Sequence, residues 1–332
     1  MTSIEIISSD KEPLIEEQTD KPSTTWLKVS SALFYGVSSF MITVVNKSVL
    51  TSYSFPSFQM LAFGQMLTTV VVLYSSKHLK VVKFSDFESR TFYQLLPLPF
   101  IYISNMVFGL GGTKELSLPM FTMLRRFSIL MTMFAEFWIL GVRPKLPVKI
   151  SVALMILGAF VAATTDLGFN FQGYLFVLLS DFLTASNGVF TKKILGTNKE
   201  IGKYGIMFYC ALFMLPFSFI IMWQTGDLKI AIDYPTWSDP GFLVQFFLSC
   251  GMGFILNYSI ILCTQHNSAL TTTIIGCLKN ILVTYLGMFI GGDYIFSTNN
   301  FIGINLSVIG SVLYTYVTFK PPPKISSSSI KV

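Results

Sequence analysis

Apolar stretches of roughly 17 to 25 residues follow one another along nearly the whole chain, each long enough to cross a hydrocarbon core about 30 Å thick as a helix. By that length rule there are about ten, at approximately 26–50, 56–74, 94–111, 117–140, 148–164, 173–190, 204–223, 242–263, 269–290 and 301–319. They lack the period-two alternation of membrane strands, and backbone in lipid must satisfy its own polar groups, so the class expected is an all-α integral membrane protein. Composition agrees: 52% of residues are hydrophobic and only 12% charged, against about 25% charged in soluble domains.

The first 25 residues are polar and acid-rich, unlike a signal peptide. Residues 1–25 and 320–332 are read as disordered cytosolic tails. In an N-in arrangement of ten spans, Lys77, Lys80, Lys83, Arg90, Arg143, Lys145, Lys149, Lys192, Lys193, Lys199 and Lys203 fall on the cytosolic side, whereas only Lys47, Lys114 and Lys229 fall outside. The net charge of +6 is thereby explained by topology, and no nucleic acid partner is implied. Cys210, Cys250, Cys263 and Cys277 fall in or at the ends of apolar runs, which argues against a disulfide framework. His78 and His266 are the only histidines, and no nucleophile, base and acid grouping or metal-ligand spacing occurs at depth, so neither an enzyme nor a metal site or cofactor is expected.

The chain half-repeats itself. VVNKSVL from Val44 resembles VFTKKIL from Val189, LRR from Leu124 resembles LKN from Leu278, and LMILGAFVAA from Leu154 resembles LSVIGSVLYT from Leu306, in the same order and at offsets of roughly 145 to 154 residues. The halves, 26–164 and 173–319, each hold five spans, and an odd number forces opposite orientations in the bilayer. Inverted five-helix repeats build secondary transporters with a central site between the halves.

Three cations lie at membrane depth: Arg125 and Arg126 in the fourth run and Lys279 at the matching place in the ninth. Together they cost about 8 to 10 kcal/mol unless they meet water or a partner. Glu136 and Asp181 are the acids at depth, so at least one positive charge is left over. Surplus positive charge near mid-membrane suits an anionic substrate, and arginine presents a fork matched to phosphate oxygens. Arg125 and Arg126 sit about 100° apart around a helix and are not expected to share a task. Purely structural pairing of the arginines is the competing reading. Asn187 in the sixth run and Tyr35 in the first are further candidate ligand contacts, alongside Asn105, Asn257, Ser259 and Thr271 to Thr273, for most of which helix–helix hydrogen bonding is the plainer reading.

LPMFTMLRRFSILMTMFAE from Leu118, NSALTTTIIGCLKNILVTYLGMFIGGDYIF from Asn267 and FYGVSSFMITVVNKSVLT from Phe34 resemble the nucleotide-sugar transporters of the drug/metabolite transporter superfamily, closest to the UDP-glucuronic acid and UDP-N-acetylgalactosamine branch of solute carrier family 35. The likeness extends over every expected span. Where GDP-mannose transporters carry GALNK, this chain reads Gly276, Cys277, Leu278, Lys279, Asn280; where they carry FYNN it reads Phe208, Tyr209, Cys210, Ala211. Loss of both asparagines argues against GDP-mannose. The resemblance implies that Lys279 and a fourth-span cation hold the phosphates, Asn280 reads the base, Gly276 belongs to the motif and Tyr209 lies near the sugar. It implies antiport of UDP-sugars such as UDP-glucuronic acid, UDP-N-acetylgalactosamine, UDP-N-acetylglucosamine or UDP-galactose against UMP in the Golgi or endoplasmic reticulum membrane. A carrier of GDP-sugars or other phosphorylated sugars, or a proton-coupled solute carrier, is the alternative; the sequence is compatible with a monomer or a homodimer.

Overall fold

The computed structural model describes residues 25–87, 93, 95–115, 121, 124–163, 170–198, 201–290 and 298–319. Every long element among them is helical. In chain order they are α1 (Thr25–Lys47), α2 (Phe58–His78), α3 (Pro97–Glu115), α4 (Phe127–Leu140), α5 (Leu146–Ala163), α6 (Phe171–Thr197), α7 (Gly202–Gln224), α8 (Pro240–His266), α9 (Ala269–Ile290) and α10 (Thr298–Phe319). A π-helical turn, Ser48–Ser52, extends α1, and a short helix, Asp227–Ile232, precedes α8. Among the described residues, six segments are long and apolar enough to cross a membrane: Thr25–Leu50, Phe58–His78, Phe171–Thr197, Gly202–Gln224, Pro240–His266 and Phe301–Phe319. Phe127–Leu140, Leu146–Val161 and Ala269–Lys279 are shorter apolar helices.

Local chemistry sets several ends. Ser57 accepts from the Met60 amide at 3.1 Å to start α2, Asn170 accepts from the Gln172 and Gly173 amides to start α6, and Asp239 accepts from the Gly241 amide to start α8. Gly141, at φ 69°, ends α4 in the left-handed conformation that glycine adopts without a Cβ penalty. Two expectations are corrected here. The sixth run, expected over 173–190, is helical from Phe171 to Thr197, so Lys192 and Lys193 lie inside α6. The fourth run, expected as one span over 117–140, is interrupted by a turn at Arg125 and Arg126, between the helical Leu124 and the start of α4 at Phe127.

Packing pairs helices across the two halves of the sequence. α1 lies on α8 as α6 lies on α3; α4 packs on α6 as α9 packs on α1; α2 meets α7, α4 meets α9 and α5 meets α10. The α5–α10 seam is the closest, held by two glycines. A Cβ on Gly158 would lie 2.4 Å from both the Gly303 carbonyl oxygen and Ser307 Oγ, and one on Gly310 would lie 2.8 Å from the Ser151 carbonyl oxygen and Met155 Cγ. Ser307 Oγ donates to the Met155 carbonyl at 3.0 Å across this seam.

Candidate functional site

Between the helices lies a cavity of about 450 Å³, lined from α1, α2, α3, α6, α7, α8, α9 and the turn before α4. Its size is within the range of small-molecule sites.

The turn before α4 decides where the two arginines go. The Arg125 amide donates to the Phe121 carbonyl at 3.0 Å, an i→i+4 bond, but the Ser128 and Ile129 amides reach back only three residues, to the Arg125 and Arg126 carbonyls, at 3.3 and 3.1 Å. Such tightening marks a 3₁₀ segment. Arg125 points at α6 and the cavity: Nη1 donates to Ser180 Oγ at 2.7 Å, and Nε stands 3.8 Å from Asp181 Oδ1. Ser180 Oγ in turn donates to Asn105 Oδ1 at 2.6 Å, and Thr184 Oγ1 donates to the same oxygen at 3.3 Å. The Phe121 ring lies 5.9 Å from the guanidinium carbon. Arg126 turns away from the cavity. It is 4% exposed and donates to the Gly303 carbonyl at 3.4 Å and to Ser307 Oγ, in the seam between α5 and α10. Neighbouring cations thus hold different posts, as their angular separation requires.

Lys279 also lines the cavity, and among the described residues its ammonium has no ion-pair partner. Its own helix carries Ala269, Thr272, Thr273, Gly276 and Lys279 to the cavity wall at the three- and four-residue spacing of one helix face. Gly276 has a steric task there: a Cβ would stand 2.9 Å from Tyr35 Oη, so its absence lets the buried Tyr35 ring press against α9. Tyr35 and Asn187 both line the cavity. The Asn280 side chain falls outside the described residues.

Tyr209 is placed elsewhere. It is 2% exposed, donates to the Ser85 carbonyl at 2.8 Å and packs among Phe84, Phe87, Phe208 and Phe213, while its neighbours Cys210 and Ala211 face the cavity. One position of rotation is about 100° of helix face, enough to exchange cavity for core. Glu136 is also away from the central cations. Its carboxylate accepts from the Leu270 amide at 3.0 Å, at the start of α9.

Gln65, Thr69, Tyr102, Thr184 and Thr191 line the cavity and were not singled out from the sequence. Two of them carry a readable signal: Thr184 and Thr191 flank Asn187 three residues before and four after, on one face of α6. Gln65 is an amide in the middle of an apolar run, and donates to Asn46 Oδ1 at 3.2 Å and Ser249 Oγ at 3.1 Å.

A helical membrane protein with a cation-bearing chamber enclosed by both halves of its chain is the class that fold and site define. Residues 27–315 match the Triose-phosphate Transporter family, and the chain belongs to that family. It is 61% identical over 293 residues to the UDP-sugar transporter UST74c of Drosophila melanogaster, covering 88% of this chain and 78% of that protein. It is 48% identical over 300 residues to the nucleotide sugar transporter SLC35D2 of Homo sapiens, covering 89% of each. A solved crystal structure with 15% identity and a TM-score of 0.61, covering 87% of this chain and 99% of the other, shares the fold.

Proposed function

We propose that this protein exchanges a cytosolic UDP-sugar for lumenal UMP across the Golgi or endoplasmic reticulum membrane by alternating access, without covalent chemistry. The observation that carries the proposal is that Arg125 and Lys279, matched in the two halves of the sequence, line one cavity, with Asp181 the acid beside Arg125 among the described residues. The diphosphate of a UDP-sugar bears about two negative charges and UMP about two, so a pair of cations complements either, and their exchange moves little net charge. The names of the relatives at 61% and 48% identity support the substrate class.

In this reading the ten helices are ten spans forming two inverted repeats, 26–164 and 173–319, with both termini in the cytosol. The crosswise packing of α1 on α8 and α6 on α3, and the glycines at matching repeat positions facing each other's helix, support the repeat. Arg125 and Lys279 hold phosphate, Asn280 helps read the base, and Tyr35 and Asn187 contact the nucleotide or sugar. Gly276 acts through Tyr35. Arg126 fixes the turn that presents Arg125, and Tyr209 positions α7 so that Cys210 and Ala211 face the ligand.

The test is uptake of a panel of labelled nucleotide sugars into proteoliposomes preloaded with UMP, CMP or GMP. Stimulation by UMP is expected, and stimulation by GMP alone would overturn the uridine assignment. Lys279→Ala should abolish exchange while the protein keeps its thermal unfolding profile; unchanged exchange would remove Lys279 from the site. Proton coupling is the reading that the buried Asp181 beside Arg125 favours. If Asp181→Asn made uptake lose a pH dependence, that reading would replace exchange.

A further inference from the structure

A second hollow, about 870 Å³, lies away from the central chamber, between α4 and α5. Phe134, Phe137 and Phe160 on its walls are all more than two-fifths exposed, while Ile156 forms part of its buried floor. Phe127 meets Phe160, on the wall of the hollow, edge-on at a ring separation of 5.3 Å. Among the described residues the charged ones lining it are Arg143, in the α4–α5 connection, and Lys149, in the first turn of α5, and both are exposed. Neither has an ion-pair partner among the described residues.

From Lys149 to Phe160 along α5 is about 16 Å at 1.5 Å per residue, close to half of a hydrocarbon core about 30 Å thick. The groove therefore reaches about one leaflet deep, with both cations at headgroup level. We infer that it holds one anionic phospholipid of that leaflet, an acyl chain lying against Ile156 and Phe160 and the phosphate between Arg143 and Lys149. A free phosphate would leave the apolar walls unused. A symmetric pair of copies meeting here would bring the basic ends of both grooves to one seam, with no acid from either groove to meet them. A lipid uses both the walls and the charges.

Native mass spectrometry of the full chain in neutral detergent tests this, with equimolar phosphatidylglycerol and phosphatidylcholine of identical acyl chains. The wild type should retain phosphatidylglycerol about tenfold better. In the double variant Arg143→Gln, Lys149→Gln that preference should fall to near parity with phosphatidylcholine retention unchanged. Ala153→Trp, which fills the groove, should lower retention of both lipids. An undiminished preference in the double variant would overturn the assignment, as would displacement of phosphatidylglycerol by glycerophosphate lacking acyl chains. Loss of a dimer on Ala153→Trp with lipid retention intact would instead assign the groove to a second copy of the chain.

Discussion

Lys47 and Lys192 occupy matching positions in the two repeats, yet the ends of the molecule where they lie are built differently. Lys192 Nζ donates to the Thr264, Gln265 and Asn267 carbonyls at 2.8, 2.9 and 2.6 Å, capping the C-terminal end of α8, where a helix leaves carbonyls without intrahelical partners. Glu136 accepts the Leu270 amide, three residues beyond Asn267, at the start of α9. Asn267, between them, donates to the Lys28 carbonyl and Ser31 Oγ of α1. A cation and an anion thus cap the two helices that meet at one break in the chain. Lys47 is exposed. Beyond it the chain is sealed by an aromatic cluster, in which Phe55 packs against Tyr234, Trp237, Phe242 and Phe246 at ring separations of 5.2 to 5.7 Å. Charged caps are directional and either made or broken, whereas ring packing is spread over many weak contacts. In an alternating-access carrier, the first kind of closure suits a gate that exchanges partners and the second a hinge that stays packed.

The largest expected effect lies at the aromatic end. Phe55→Ala should destabilise the protein by about 3 kcal/mol, the cost of deleting a buried ring from a close-packed cluster, measured as a fall in thermal midpoint in detergent. Next, Lys192→Met leaves three carbonyls without their donor and should cost about 2 kcal/mol, with Lys192→Arg recovering part of it. Glu136→Gln keeps an acceptor for the Leu270 amide while removing the charge, and should cost about 1 kcal/mol. Lys47→Met should change stability by less than about 0.5 kcal/mol, as for an exposed surface residue. A Lys47 variant as damaging as its Lys192 counterpart would abolish the contrast between the ends. Should Lys47→Met stop transport while leaving stability intact, the contrast would sharpen into two states of one gate.

Much of this was legible in the sequence because bilayer thickness imposes a length on every span and a penalty on every buried charge. Those two rules point to a helical membrane protein, pick out Arg125, Arg126 and Lys279, and leave Asn187 and Tyr35 as candidates; the structure brings all of these but Arg126 to the same cavity. Arg126 is placed with them by its charge at depth and Tyr209 by the family resemblance, and rotation about a helix axis carries the one to a seam and the other to a core instead. No pattern in the sequence marks the turn that separates the arginines. It depends on Ser128 and Ile129 bonding back three residues rather than four. Charge alone puts Lys192 on the cytosolic side and names no partner for it; its long stem lets the ammonium reach helix-end carbonyls from inside a helix.

By itself the sequence determined the helical membrane class and which cations fall inside apolar runs, since each follows from local composition against a solvent of fixed thickness. Only the tertiary structure decided which cation faces the chamber, which acid stands beside it, and which of two matching lysines caps a helix. Those outcomes depend on side-chain direction and on contacts between residues far apart in the chain, as between Arg126 and Ser307 or Lys192 and Asn267.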